Sequence, residues 1–221
     1  MSYYDAYADK YQKINGFKIF VKAPNNRKYE GYLSLKPSTR STYDIAMRDA
    51  TIDGLITMDE IDKLIPGQIF YRDVQPNELF ILQSVNEFEH QKNTRNINAI
   101  KQNSFVTVKR KKYNEETGEN EYMDIYKNVI SFVTMQNKDE KNFGAGVEDN
   151  TFLNIQIPKR DVDGNIYIVN NGDRVVLRNL QGDLSREVKV ESMNEFGVPG
   201  VVIINGTFET RTGDWYGIEI W

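Results

Sequence analysis

From Asn15 onward, hydrophobic and polar positions alternate along the chain with a period of two. Phe17, Ile19 and Val21 interleave with Lys18 and Lys22 up to the turn-forming run Pro24-Asn25-Asn26, and Tyr29 to Leu35 reads as the returning strand. Pro37 to Arg48 is too long and polar for a tight turn. Thr57 or Asp59 is expected to cap a short turn, MDEIDKL, which Pro66-Gly67 ends before a strand from Gln68 to Arg72. A turn at Gln75-Pro76-Asn77 and the run Leu79 to Val85 suggest another hairpin, followed after a polar stretch by strands at Ile97 to Ile100 and Phe105 to Lys109. A charged turn, NEETGENE, leads to Tyr126, with a separate strand expected from Asn128 to Met135 and a polar loop from Gln136 to Asn150. Phe152 to Ile157, Arg174 to Leu180, Glu187 to Met193 and Val201 to Ile204 complete the strands; Asp163-Gly164 and Gln181-Gly182-Asp183 supply turns. Only Tyr3 to Lys13 breaks the period: Tyr4, Ala8 and Tyr11, with Tyr7 beside them, predict a short amphipathic helix.

The two halves share landmarks in one order. Asn15-Gly-Phe17 matches Asn103-Ser-Phe105, the run from Tyr29 to Ser34 matches that from Tyr126 to Ser131, and Gly67 matches Gly172. Ser84-Val-Asn-Glu-Phe88 matches Ser192-Met-Asn-Glu-Phe196. The series predicts an all-β chain of two tandem small antiparallel β-barrel or sandwich domains with a short N-terminal helix: an arm over 1–14, barrels over 15–102 and 103–206, and a terminal strand over 207–221.

Composition narrows the chemistry. With no cysteine and one histidine, His90, the chain has neither a disulfide framework nor a zinc ribbon nor a histidine metal cage of its own. A net charge of −4 argues against a general nucleic-acid binder. No stretch approaches the roughly 20 apolar residues of a membrane span, and the first residues lack an apolar leader, so synthesis and assembly in the cytoplasm are expected, with no membrane partner. That leaves the Asn205-Gly-Thr207 sequon without weight.

No group of residues reads as a catalyst, and no cofactor is expected. Asp161-Val-Asp163-Gly164-Asn165 superficially resembles a calcium loop, but its twelfth position is Gly172 instead of a bidentate Glu, which favours a hairpin turn. Gly144-Ala-Gly146 lacks the remainder of a phosphate-binding loop, and His90 has no nucleophile motif beside it. Lys109, Arg110, Lys111 and Lys112 form the only dense basic run and are candidates for phosphate contact. Glu115, Glu116, Glu119 and Glu121 on the other arm of the hairpin offer cross-strand ion pairs as the plainer reading. The terminal run containing Trp215, Tyr216, Ile218, Ile220 and Trp221 predicts a strand added to this barrel or to a neighbouring subunit.

Several features of the second half resemble tailed-bacteriophage head-closure proteins, also called stoppers or head-to-tail joining proteins: the Gly118-Glu119 turn, the strand Thr151 to Pro158, the Asp173-Arg-Val175 strand and the strand Val190 to Met193. The resemblance spans roughly Phe105 to Ile204 and rests on degenerate motifs. It implies a non-enzymatic structural protein of the virion neck, a homo-oligomeric ring of six- or twelve-fold order. Such a ring closes the DNA-filled head below the portal and adaptor proteins and docks a tail terminator or tail tube, with possible contact to packaged DNA. The position matching the family's channel-facing loop begins at Lys138, Asp139, Glu140, Lys141, Asn142 and Phe143. Known members are often a single barrel of about half this length, a departure that admits a tail or baseplate ring component as an alternative. A carbohydrate-binding β module is a further one, with Trp215, Tyr216 and Trp221 as its stacking platform.

Overall fold

The computed structural model describes residues 16–36, 50–87, 92–137, 151–181 and 185–208. These residues form two closed six-stranded barrels in tandem. Strands β1 (Phe17–Lys22), β2 (Lys28–Leu35), β3 (Thr51–Thr57), β4 (Ile69–Arg72), β5 (Gln75–Glu87) and β6 (Thr94–Lys101) close the first in the order β1-β2-β3-β6-β5-β4. Strands β7 (Ser104–Asn114), β8 (Glu119–Asn137), β9 (Thr151–Pro158), β10 (Arg174–Asn179), β11 (Ser185–Asn194) and β12 (Val201–Phe208) close the second in the order β7-β8-β9-β12-β11-β10. The all-β, two-barrel expectation is met. The helix expected over Tyr3 to Lys13, the polar loop from Pro37 to Arg48 and the terminal run from Trp215 to Trp221 lie outside the described residues.

Alternation explains each barrel. Ile19, Val21, Leu33, Ile56, Phe70, Phe80, Leu82 and Ala99 point inward, and the Phe70 and Phe80 rings stack at 5.1 Å. The second interior is built the same way from Val106, Val108, Leu153, Ile155, Ile157, Val175, Val188, Val190 and Ile204. Asn25 and Asn26, at φ 59° and 57°, make the tight β1–β2 turn in the left-handed region that Asn tolerates.

Three local expectations are corrected. Thr51–Thr57 is a strand that the alternation did not announce, and neither Thr57 nor Asp59 caps the turn after it: a 3-10 helix at Ile61–Lys63 has Glu60 at its N-cap with no side-chain bond, while the Thr57 hydroxyl pairs with that of Thr94 at 2.9 Å. The β4–β5 turn falls at Asp73-Val74, so that Gln75-Pro76-Asn77 opens β5; Pro76 sits in an irregularity between the pairs Arg72↔Gln75 and Tyr71↔Leu79, where no N–H is required. Instead of two strands, β8 is a single one that runs through a bulge at Asn128 (φ 52°).

The barrels are copies of one design. Adding six to each strand number turns the first strand order into the second. Gly67 donates to Leu82 O at 2.7 Å and Leu82 donates to Gln68 O at 2.9 Å; Gly172 donates to Val190 O and Val190 donates to Asp173 O, both at 2.9 Å. The register shift between Leu82 and Ser84 in β5 recurs between Val190 and Ser192 in β11. The Gly67/Gly172 and Ser84/Ser192 matches therefore hold residue for residue, and Ile97-Asn98-Ala99 in β6 falls on Ile204-Asn205-Gly206 in β12. The two earlier landmarks slip by one: sheet register sets Phe17 against Ser104 instead of Phe105, and the Asn128 bulge sets Ser34 against Phe132 instead of Ser131.

A third apolar core joins the copies. Ile69, Ile81 and Ile100 on the outside of the first barrel pack with Ile130, Phe132 and Val201 on the outside of the second. At the repeat-equivalent outward positions the chemistry is reversed. Ile69, Ile81 and Ile100 fall on Arg174, Lys189 and Thr207, whereas Phe132, Ile203 and Phe105 fall on Ser34, Asn96 and Lys18. Each barrel thus has one apolar outer face, and the two faces are different ones. Gly200 closes the seam, donating to Gln83 O at 2.9 Å and accepting from Lys159 N at 3.0 Å, and Gln83 donates across it to Gln156 at 2.7 Å.

A Cβ on Gly200 would lie 2.1 Å from Leu82 O and 2.5 Å from Gly67 N, both backbone atoms that cannot swing aside. Gly200→Ala is expected to cost about 3 kcal/mol or more in urea unfolding. Gly172→Ala, at φ +87° with nothing within 4 Å of the added carbon, should cost only the ~1–2 kcal/mol of a left-handed alanine. Equal losses would show that the close approach at the seam is not a main determinant of stability.

Candidate functional site

Beyond Lys109 the second barrel puts out an arm. β10 pairs with β7 only as far as Lys109, but β7 and β8 continue to pair from Arg110↔Met123 to Asn114↔Glu119. This two-stranded ribbon reaches roughly 15 Å past its last third-strand neighbour. Its tip is the Gly118-Glu119 turn: Gly118, at φ 72°, donates to Asn114 O at 2.9 Å, and Asn114 Oδ1 accepts from Glu116 N at 3.0 Å.

The ribbon carries the basic run and divides it. Arg110 continues the inward-facing row of β7 and forms a two-pronged pair with Asp173, Nε to Oδ1 at 2.9 Å and Nη2 to Oδ2 at 2.8 Å, and also donates to Ile168 O at 2.9 Å. Asp173 is almost fully buried and accepts in addition from Asn170 N at 2.8 Å. Hydrogen bonding to Asp173 raises the Arg110 pKa further above its already high value. Arg110 is therefore a clasp between the ribbon and the loop before β10. Lys111 and Lys112 are exposed and Lys109 half-buried. The cross-strand ion pairs expected with the glutamates do not form around Glu121, although it stands opposite Lys112: its carboxylate accepts from Asn114 Nδ2 at 3.1 Å and Thr117 Oγ1 at 2.9 Å, which lowers its pKa.

Around the ribbon's root the outer face is cationic. Lys109, Arg174 and Lys189 are direct neighbours across β7, β10 and β11. Arg174 lies over the Tyr122 ring at 4.1 Å and pairs with Glu187 at 2.8 Å; Lys189 pairs with Glu191 at 3.4 Å. On the inner side Tyr126 meets Tyr167 edge to face at 5.0 Å, and burial, with the Asp161 charge and Tyr126 behind it, pushes the Tyr167 pKa up to about 12. Arg174 and Lys189 escape a reading by runs because each is an isolated cation in sequence, after Asp173 and between Val188 and Val190; only strand register brings them beside Lys109.

The other candidates resolve simply. The Asp161 carboxylate is occupied by N–H donors, Asp163 N at 2.9 Å, Asn165 N at 2.8 Å and Asn165 Nδ2 at 2.9 Å, which makes it the organiser of a turn at Gly164. That turn closes a single bridge, Arg160↔Ile166, instead of a strand pair. Among the described residues no group of three acidic or histidine side chains is placed to hold a metal ion. At the seam between barrels a cleft of about 60 Å³ is lined by Pro24, Ile65, Pro66 and Val162, with Lys22 and Arg160 at its sides. Nearby, Phe196 is 92% exposed on the β11–β12 turn, which Asn194 Oδ1 holds by accepting from Phe196 N at 2.9 Å and Gly197 N at 2.8 Å. The channel-loop candidates Lys138 to Phe143, Gly144-Ala-Gly146, His90 and the terminal aromatics Trp215, Tyr216 and Trp221 lie outside the described residues.

Asp173→Asn would leave the Arg110 guanidinium facing a neutral amide in a partly buried site. The expected loss is about 2–3 kcal/mol by urea unfolding, reduced from the full cost of breaking a buried pair because Arg110 keeps some contact with water. A change below ~0.5 kcal/mol would remove the clasp from the structure's stabilising contacts.

No protein-family model matches the chain, and no curated protein matches it. Among solved structures it is similar to one described as the K. pneumonia MrkH–c-di-GMP complex, with 11% identity over 95% of this chain and 86% of that chain and a TM-score of 0.17. A likeness at that TM-score carries no argument about fold or function.

Proposed function

We propose that this chain is a structural virion protein of a tailed-phage neck, one that closes the DNA-filled head below the portal and adaptor and docks the tail by assembling into a ring. The observation that supports the reading best is the pairing of two edge-free barrels, fused through a shared apolar core, with a ribbon that projects from the second. Closed barrels offer no sheet edge for open-ended strand addition, so contacts between copies fall to loops, turns and arms, which suits a ring of fixed order. The second barrel is also the half whose motifs resemble head-closure proteins, and the ribbon tip holds the Gly118-Glu119 turn on which part of that resemblance rests. On this reading the protein works by geometry instead of bond chemistry, and its partners are further copies of itself, the portal and adaptor proteins, and the tail.

The test is cryo-EM of intact particles labelled with an antibody fragment against this chain. Label at the head–tail junction is the expected result; label at the distal tail would move the protein to a tail or baseplate ring, and no label would remove it from the virion. Shortening the segment 138–150, which joins β8 to β9 within the second barrel, is expected to leave folding intact while filled heads leak DNA before tails attach. Heads that stay full would count against a channel role for that segment.

A further inference from the structure

We propose that the outer face of the second barrel at the root of the ribbon, made by Lys109, Lys111, Arg174 and Lys189, is a binding site for the phosphodiester backbone of duplex DNA. Lys109, Arg174 and Lys189 are paired neighbours on β7, β10 and β11, which sets three cations in a row at the ~4.8 Å spacing of adjacent strands. Lys111 stands one outward position, roughly 7 Å, further along β7. Glu187 and Glu191 offset part of the charge of Arg174 and Lys189. Lys109 and Lys111 have no carboxylate within ion-pair distance among the described residues; Asp124, opposite Lys109, pairs with Lys127 at 3.4 Å.

The repeat makes this face informative. Arg174 and Lys189 occupy the positions that in the first barrel hold Ile69 and Ile81, the residues that bind the second barrel. The second barrel therefore presents the counterpart of an established binding face with its apolar contacts exchanged for cations. A third barrel could not dock there without burying Arg174 and Lys189 against an apolar surface. What the face suits is a repeating anion. A protein partner would call for an exposed aromatic or aliphatic anchor at the centre of the contact. The centre of the row has none: the Tyr122 ring lies beneath Arg174, the neighbour at the far end is Thr207, and the exposed Tyr113 stands beyond Lys111 on the ribbon, away from the row. Phosphates need only cations and N–H donors on a surface they can approach. Arg110, although part of the dense basic run, is outside the site because it continues the inward row of β7, where Asp173 holds it; Arg174, paired with Glu187 and stacked on Tyr122, adds its charge to the outer face, where Lys109, Lys111 and Lys189 are the approachable cations.

The inference deepens the neck reading, in which packaged DNA lies at the ring, but its test uses the isolated 221-residue chain and so fails or succeeds separately from particle labelling. Binding of a short fluorescently labelled DNA duplex is followed by anisotropy between ~50 and ~200 mM salt. Wild type is expected to bind weakly, with a dissociation constant in the range of about 1–100 µM at the lower salt. Lys109→Ala/Lys111→Ala/Lys189→Ala should lower the slope of log affinity against log salt by about three and the affinity near 0.1 M salt on the order of a hundredfold. Lys18→Ala/Lys28→Ala/Lys63→Ala, the same change of net charge on the first barrel, should change affinity less than about threefold. No wild-type binding at the lower salt, or an equal loss in both variants, overturns the proposal. So does a polyglutamate peptide that displaces the duplex at equal charge concentration, which would assign the face to an acidic protein surface.

Discussion

Ile69, Ile81 and Ile100 packed on Ile130, Phe132 and Val201 form the contact on which the rest of this architecture depends. Either barrel alone would expose a group of apolar side chains on its outer wall, and burying a large one is worth ~1.5–3 kcal/mol. The contact is close because Gly200 lets two backbones meet where no Cβ fits. Gln83 donates to Gln156 across the seam and Gln156 in turn donates to Asn154 at 3.5 Å, a polar chain that places amides at the seam with hydrogen-bond partners. The result makes a pair of small barrels, each with a modest interior of its own, into one hydrophobic unit of three linked cores.

The duplication kept what closes a barrel and changed what faces outward. The paired hydrogen bonds of Gly67 and Leu82 and of Gly172 and Val190, together with the register shift that follows in β5 and β11, are backbone features that set strand curvature, and both copies retain them. Outward positions carry no such constraint. One copy brings apolar residues to the seam from its β4-β5-β6 wall, the other from β8 and β12. This asymmetry limits the chain to one junction, because repeating the same contact on the second barrel would set Arg174 and Lys189 against isoleucine-binding surface.

Inward alternation made most strands readable, since a barrel wall with one buried face repeats every two residues. The misses have specific causes. In β3, Gly54 at an inward position and Leu55 at an outward one break the alternation, yet Gly54 is required because a Cβ there would meet Ser34 O at 2.7 Å. Asn128 to Met135 looks like a separate strand because the polar pair Lys127-Asn128 interrupts the alternation; a bulge absorbs those residues without ending the strand. Pro76 suggests a turn and instead occupies an irregularity at the start of β5, where the ladder asks nothing of its nitrogen. The landmarks that slipped by one lie on either side of these insertions, where letters can be matched without knowing which residue a partner strand faces.

Local pattern and composition suffice for the class of the protein: all-β, duplicated, and without the cysteine or histidine clusters that would carry zinc or disulfide chemistry. Those properties follow from local periodicity, ordered repetition and composition, each of which is written along the chain. Which outward residues meet is set by the folded chain. It took Arg110 out of the basic run by giving it Asp173, and it brought Arg174 and Lys189 beside Lys109 from strands far apart in sequence. It also turned the outer isoleucines of one barrel into the seam with the other. The physical reason is that inward positions are specified by burial, which alternation records, whereas outward contacts are specified by strand register and barrel closure, which bring together residues that no local pattern connects.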